Sequence, residues 1–209
     1  MNEPDSFPAF YDDLALSFEE AWGLIVAGVT DRKSPCHMPI VGTVDALGMP
    51  QLRIMILRDA SLDARTLRFH TDSRSIKAEQ IAQNPATSVL IYDPEAKVQI
   101  RMSGKTLFTA IGDVADRAWS ESTPFARRCY MAEAAPGTPS EEPSSGLPDW
   151  IAGKQPEEEQ LADYRVNFAA LLVEIETIEW LYLANAGHRR ARWQWDSAQN
   201  SWAARWLIP

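Results

Sequence analysis

Apolar residues recur along this chain at two spacings. Near the N-terminus the spacing is helical: Ser17-x-x-Glu20 has the form of a capping box and leads into Ala21, Trp22, Leu24, Ile25 and Val29 on one face. Residues 31–39 carry loop chemistry, and then the period shortens. Segments 40–44 and 51–58 flank Asp45-Ala46-Leu47-Gly48 and predict a hairpin, its turn using the tolerance of glycine for positive φ. Residues 67–71 read as a strand that runs into the polar cap Asp72-Ser73-Arg74-Ser75. Ile76, Ala78 and Ile81 follow at helical spacing and stop at Asn84-Pro85. A second strand pair, 88–92 and 98–102, turns at Asp93-Pro94-Glu95, its second member continuing past Gly104 through Leu107 and Phe108. Residues 113–131 predict a helix in two pieces broken at Pro124, and 156–167 a further helix. Between them 134–153, rich in Pro, Gly, Ser and Glu, is the clearest loop. Strands at 171–183, 189–195 and 201–208, the last two joined by a turn at 196–200, complete the chain.

Many short strands with a few inserted helices favour a mainly β (α+β) barrel over a doubly wound sheet. With 209 residues, 45% of them hydrophobic, one domain spanning 1–209 is expected, with 134–153 as a variable excursion within it. No Gly-x-Gly-x-x-Gly follows a strand, so a Rossmann site is not supported. The net charge of -9 argues against non-specific nucleic-acid binding. No apolar run reaches membrane-span length, and Met1 to Asp5 lacks the basic and apolar regions of a signal peptide, so a soluble cytoplasmic protein is expected. Cys36 and Cys129 are then expected as reduced thiols. No metal site is expected, because Cys36-His37 lacks further ligands and His70 and His188 stand alone.

Candidate chemistry centres on anions. At 72–77, a helix start with Ser73, Ser75, Arg74 and Lys77 suits a phosphate; an ordinary N-cap followed by solvated basic residues is the plain alternative. Arg53 and Arg58 are five apart and face opposite sides of a continuous strand. Arg53 shares a face with Met55 and Leu57 and needs either a ligand anion or a protein carboxylate. Gln99 and Arg101 lie on the more polar face of their strand, and Arg190, Arg192 and Gln194 alternate with Ala191, Trp193 and Trp195. Five of the eight tryptophans fall between 180 and 206, where core or interface packing is the simplest role.

The ordered set Arg53-Ile-Met-Ile-Leu-Arg58, Phe69-His70-Thr71-Asp72-Ser73-Arg74-Ser75-Ile76-Lys77, Asn84-Pro85, Val98-Gln99-Ile100-Arg101-Met102-Ser103-Gly104, Trp180, His188-Arg189-Arg190-Ala191-Arg192-Trp193 and Arg205-Trp206-Leu207-Ile208-Pro209 resembles the pyridoxamine-5′-phosphate-oxidase-like FMN-binding family. The resemblance implies a split β-barrel with peripheral helices, a homodimer with FMN between subunits, and an FMN-dependent oxidoreductase acting on a small molecule. It implies a cofactor set of Arg53, Ile54, Met55, Ile56, His70, Thr71, Ser73, Arg74, Lys77 and Gln99. Ser144 and Ser145 of the variable loop join it, as do Trp180 and Arg192 from the partner chain. Arg53, Arg74 and Lys77 would hold the phosphate. Arg58 and Arg190 would face the substrate. Two departures bear on that substrate: no Tyr-x-x-x-Arg clamp for a substrate phosphate occurs, and His188-Arg189-Arg190-Ala191-Arg192 replaces the family's Arg-x-His ending. The chain therefore looks like a branch that keeps the flavin and varies the substrate. A true pyridoxamine/pyridoxine 5′-phosphate oxidase, its clamp replaced by Arg127, Arg128 or Arg189, and a non-catalytic FMN-binding, storage or sensing module are the alternatives.

Overall fold

The computed structural model describes residues 7–209; the N-terminal stretch Met1 to Asp5 lies outside the described residues. The first helix, α1 (Leu14–Thr30), begins one turn earlier than the Ser17-x-x-Glu20 pattern predicts. Asp13 is its N-cap, accepting from the N–H groups of Ala15 and Leu16. Ser17 is buried inside the helix, its hydroxyl donating to the carbonyls of Phe10 and Asp13. A competing local carboxylate thus displaces the expected capping box.

Among the described residues nine antiparallel strands form one sheet: β1 (Ile40–Val44), β2 (Pro50–Ile54), β3 (Leu57–Ser61), β4 (Thr66–Asp72), β5 (Ala86–Asp93), β6 (Val98–Thr109), β7 (Phe168–Tyr182), β8 (Arg189–Asp196) and β9 (Ser201–Leu207). The order is β2-β1-β5-β6-β7-β4-β3, with β8 on β7 and β9 on β8. The strand expected at 51–58 is in fact two. β2 pairs with β1 and β3 with β4, so the ladder breaks at Met55 and Ile56. The alternation that set Arg53 and Arg58 on opposite faces does not carry across this break.

β7 organises the sheet. Its first half pairs with β4 on one edge, its second half with β8, while β6 runs along the other edge throughout. The β6–β7 register shifts between Ser103 and Gly104, and a Cβ at Gly104 would sit 1.8 Å from the Glu174 carbonyl oxygen. Only glycine admits that approach. Alternate residues of these strands (Leu67, Phe69, Ile100, Leu171, Ile175 and Trp180) pack with Ile25 of α1 into the main core.

Helix α2 (Ile76–Gln83) follows β4 as the spacing predicts. The 113–131 segment is indeed broken before Pro124, giving α3 (Asp113–Ser120), α4 (Pro124–Arg127) and a 3-10 turn. The helix expected at 156–167 is a short α5 (Glu158–Leu161) continued as 3-10 turns. These pieces build two small satellite cores around Tyr130 and Phe168 and around Met131, Ile151 and Leu161. No described helix is long and apolar enough to cross a membrane.

Candidate functional site

The break between β2 and β3 opens a cleft of about 330 Å³, within the range of small-ligand sites. Ile54, Met55, Ile56 and Arg58 form one wall, His70, Thr71, Asp72 and Lys77 another, and Ala126, Cys129, Tyr130 and Pro136 the third. The Met55 N–H is taken by the Pro39 carbonyl, while Ile56 falls outside both strand ladders.

One end has two half-buried cations, Lys77 in the wall and Arg53 beside it. Lys77 Nζ donates to Thr71 Oγ1 at 2.9 Å, and Thr71 Oγ1 also lies 3.2 Å from Ser75 Oγ. Arg53 donates to Thr43 Oγ1 at 2.8 Å, the Val41 carbonyl at 3.2 Å and Gln80 Oε1 at 3.3 Å. Among the described residues neither forms an ion pair. Burial lowers the pKa of both; the nearby Arg53 charge lowers Lys77 further, with Asp72 opposing. Two desolvated positive charges resting on neutral acceptors leave a surplus that an anion would relieve.

Near Arg58, His70 is held neutral. Burial first, then the charges of Arg58 and Arg68, push its pKa down from 6.5 to about 3. Its Nε2 is buried without a partner, and Nδ1 has only a long 3.4 Å contact with Ser122 Oγ. Arg58 makes no ion pair among the described residues.

The residues singled out in the sequence thus divide. Ile54, Met55, Ile56, Arg58, His70, Thr71 and Lys77 line the cleft, and Arg53 lies beside Lys77. Arg74 does not turn into the cleft. It grips Asp72 in a two-point ion pair, 3.0 Å from Nε to Oδ1 and 2.7 Å from Nη2 to Oδ2, and donates to the carbonyls of Ala132 and Glu133. Ser73 donates to the Val166 carbonyl, and Ser75 occupies the N-cap of α2 without a side-chain cap bond. Ser144 and Ser145 accept from N–H groups of their own loop. Trp180 is 0% exposed, stacked on Tyr182 with Phe10 at its edge, so it cannot present its ring to a partner chain as expected.

Gln99, Arg190 and Arg192 lie away from this cleft. Cross-strand register sets Arg101, Glu179, Arg192 and Arg205 in one row over β6–β9. Arg192 and Arg190 both bind Glu179, with Arg101 at 3.6 Å. Burial alone would raise the Glu179 pKa, but the bonds from Arg190 and Arg192 outweigh it and hold it low. The sequence reading missed Thr43 and Gln80, which seat Arg53, and Cys129 and Tyr130. Gln80 follows Lys77 by one helical turn, which places both on one face; Thr43 carried no local signal.

Residues 20–110 match the family model described as pyridoxamine 5′-phosphate oxidase, FMN-binding domain. A pyridoxine/pyridoxamine 5′-phosphate oxidase of Caulobacter vibrioides is 33% identical over 104 residues, which are 50% of this chain and 41% of that protein. The Paraburkholderia phymatum enzyme is 36% identical over 70 residues, 34% of this chain and 32% of that one. The matched segments therefore span about two fifths or less of these relatives. Among solved structures, a pyridoxamine 5′-phosphate oxidase-related, FMN-binding protein from Nostoc punctiforme superposes with a TM-score of 0.72 at 22% identity, covering 98% of this chain and 100% of that one. PhzG from Burkholderia lata, in complex with tetrahydrophenazine-1-carboxylic acid, gives 0.68 at 21% identity, covering 98% of each. Residues 20–110 thus match the pyridoxamine 5′-phosphate oxidase FMN-binding domain, and nearly the whole chain shares the split-barrel fold of these solved structures.

Proposed function

We propose that this chain binds FMN in the β2–β3 cleft and works as an FMN-dependent oxidoreductase on a small organic substrate. The observation that carries the reading is the Arg53/Lys77 pair, two partly desolvated cations beside one another with no carboxylate partner among the described residues. A phosphate dianion matches that surplus, and charge-assisted bonds to it contribute about 1.5–3 kcal/mol each. Ile54, Met55 and Ile56 offer apolar contact next to main-chain groups outside the ladders, which suits a heteroaromatic ring with polar edges. FMN, when bound, supplies the electron-transfer chemistry. The chain's own residues bind and orient: Lys77 and Arg53 hold the phosphate, Tyr130 and Pro136 shield the cleft from water, and neutral His70 offers Nε2 as a hydrogen-bond partner. Arg58 supplies one cation to the substrate end.

A homodimer is part of this reading. Leu52 and Ile54 are 70% and 64% exposed on the face of β2 next to Ile40 of β1, an apolar surface that a second copy would cover. Docking there would bring the β6–β8 face of one copy, with Gln99, Arg190 and Arg192, toward the cleft of the other.

Pyridoxamine phosphate is not the substrate that the site favours. The three arginines that might replace the missing clamp are engaged elsewhere: Arg127 with Glu158, Arg128 with the Lys154 carbonyl, and Arg189 with Asp12. The test is the visible spectrum of the purified protein, followed by FMN titration and a donor and acceptor screen. A yellow protein, or quenching of flavin fluorescence at micromolar FMN, is expected. A colourless protein that ignores FMN overturns the proposal, and bound FMN that exchanges electrons with no donor or acceptor leaves a flavin-binding module instead of an enzyme.

A further inference from the structure

The guanidinium of Arg53 rests on two side chains that carry no charge and are almost fully buried, Thr43 at 2% exposure and Gln80 at 7%. The bonds form a closed triangle. Arg53 Nη1 donates to Thr43 Oγ1 at 2.8 Å and Nη2 to Gln80 Oε1 at 3.3 Å, while the Thr43 hydroxyl donates to the same Oε1 at 2.6 Å. Each role is forced. Arginine only donates, so Gln80 must turn its carbonyl oxygen inward, and a threonine hydroxyl that accepts from one neighbour can still donate to the next.

Three other partly buried arginines of this chain are held by carboxylates: Arg65 by Glu174, Arg68 by Glu121, Arg74 by Asp72. A glutamate at position 80 would have nearly the same shape as Gln80 and would bind Arg53 more strongly. It would also cancel the charge. The amide orients the guanidinium beside Lys77 and leaves both positive charges uncompensated. Lys77 is treated the same way, seated on the Thr71 hydroxyl.

We infer that Gln80, acting with Thr43, is a positioning residue that sets selectivity for a phosphorylated flavin over the unphosphorylated one. The inference rests on the FMN reading above. Neither residue needs to touch the ligand; they fix the aim of Arg53 and keep its charge available.

The test titrates FMN and riboflavin side by side, by quenching of flavin fluorescence, into wild type, Gln80→Glu and Thr43→Val. Wild type should bind FMN more tightly than riboflavin. In Gln80→Glu the FMN affinity should fall by about tenfold or more, the size of one charge-assisted contact, with riboflavin affinity within about twofold of wild type. The salt dependence of FMN binding should weaken in the same variant, while thermal stability holds or rises because the new carboxylate pairs with Arg53. Thr43→Val, which removes only the relay, should lower FMN affinity a few-fold and spare riboflavin, and it decides the matter if Gln80→Glu does not fold. A wild type that binds FMN no better than riboflavin overturns the phosphate reading and this inference together. A wild type that discriminates, with variants that keep the same FMN-to-riboflavin ratio or lose both ligands equally, overturns this inference alone.

Discussion

Replacing His70 with Phe tests whether the cleft wall really holds a neutral, buried imidazole. The ring already meets Phe168 edge-on at 4.9 Å, so a phenyl group keeps the shape while removing the titration. Burial and the charges of Arg58 and Arg68 lower the His70 pKa from 6.5 to about 3. The folded state therefore refuses a proton that the unfolded chain accepts. Stability from this group is complete above pH 6.5 and is lost as pH falls from 6.5 toward 3, at about 1.4 kcal/mol per pH unit. Between pH 6.5 and 5 that amounts to about 2 kcal/mol. Urea unfolding of the ligand-free protein, followed by tryptophan fluorescence at pH 7.5 and pH 5, reads it directly. Other titrating groups act on both proteins, so the quantity to compare is the difference between wild type and variant. That difference should shift by about 2 kcal/mol in favour of His70→Phe on acidification. A difference that stays constant between the two pH values would refute the assignment, because an exposed or protonated His70 produces no such slope.

Four further outcomes follow from the same geometry. Lys77→Met should weaken FMN binding by about tenfold to a hundredfold, one or more charge-assisted contacts, while leaving the apo protein at least as stable, since a desolvated cation next to Arg53 is removed; fluorescence titration and a thermal melt check both halves. Arg74→Met should leave the FMN-to-riboflavin ratio unchanged but cost about 2 kcal/mol in urea unfolding, the buried-pair figure discounted because Arg74 is 28% exposed. Gly104→Ala should cost about 3 kcal/mol or more, or abolish soluble expression, because the added carbon overlaps the Glu174 carbonyl at 1.8 Å. Leu52→Asp with Ile54→Asp should shift the protein toward monomer in light scattering if the β1–β2 face is the subunit contact.

Local rules accounted for much of the fold. The helical spacing of Ile76, Ala78 and Ile81 and the alternation in Gln99-Ile100-Arg101-Met102 are properties of short segments, and α2 and β6 form where they fall. The misses came from competition that spacing cannot register. Residues 51–58 alternate like one strand, yet β1 claims one half and β4 the other, and the resulting break is what opens the cleft. Ser17 and Glu20 have capping-box spacing, but the Asp13 carboxylate lies one turn ahead. The sequence leaves Trp180 to core or interface and the resemblance sets it toward a partner chain, whereas β7 points it inward against Phe10 and Tyr182.

The phosphate site shows the same limit at the level of charge. The resemblance gives Arg74 and Arg53 the same task, holding the phosphate. What separates them is the partner each meets in three dimensions. Asp72 lies two residues from Arg74 and neutralises it, turning that arginine into a brace for the loop at Ala132 and Glu133. Arg53 meets Thr43 on the neighbouring strand and Gln80 on a helix 27 residues away, and both are neutral. A carboxylate partner makes an arginine structural; an amide or hydroxyl partner leaves its field available to a ligand. In this fold the anion site is therefore marked less by where its cations stand than by how its one wall carboxylate, Asp72, is spent on Arg74 while Arg53 and Lys77 rest on neutral partners.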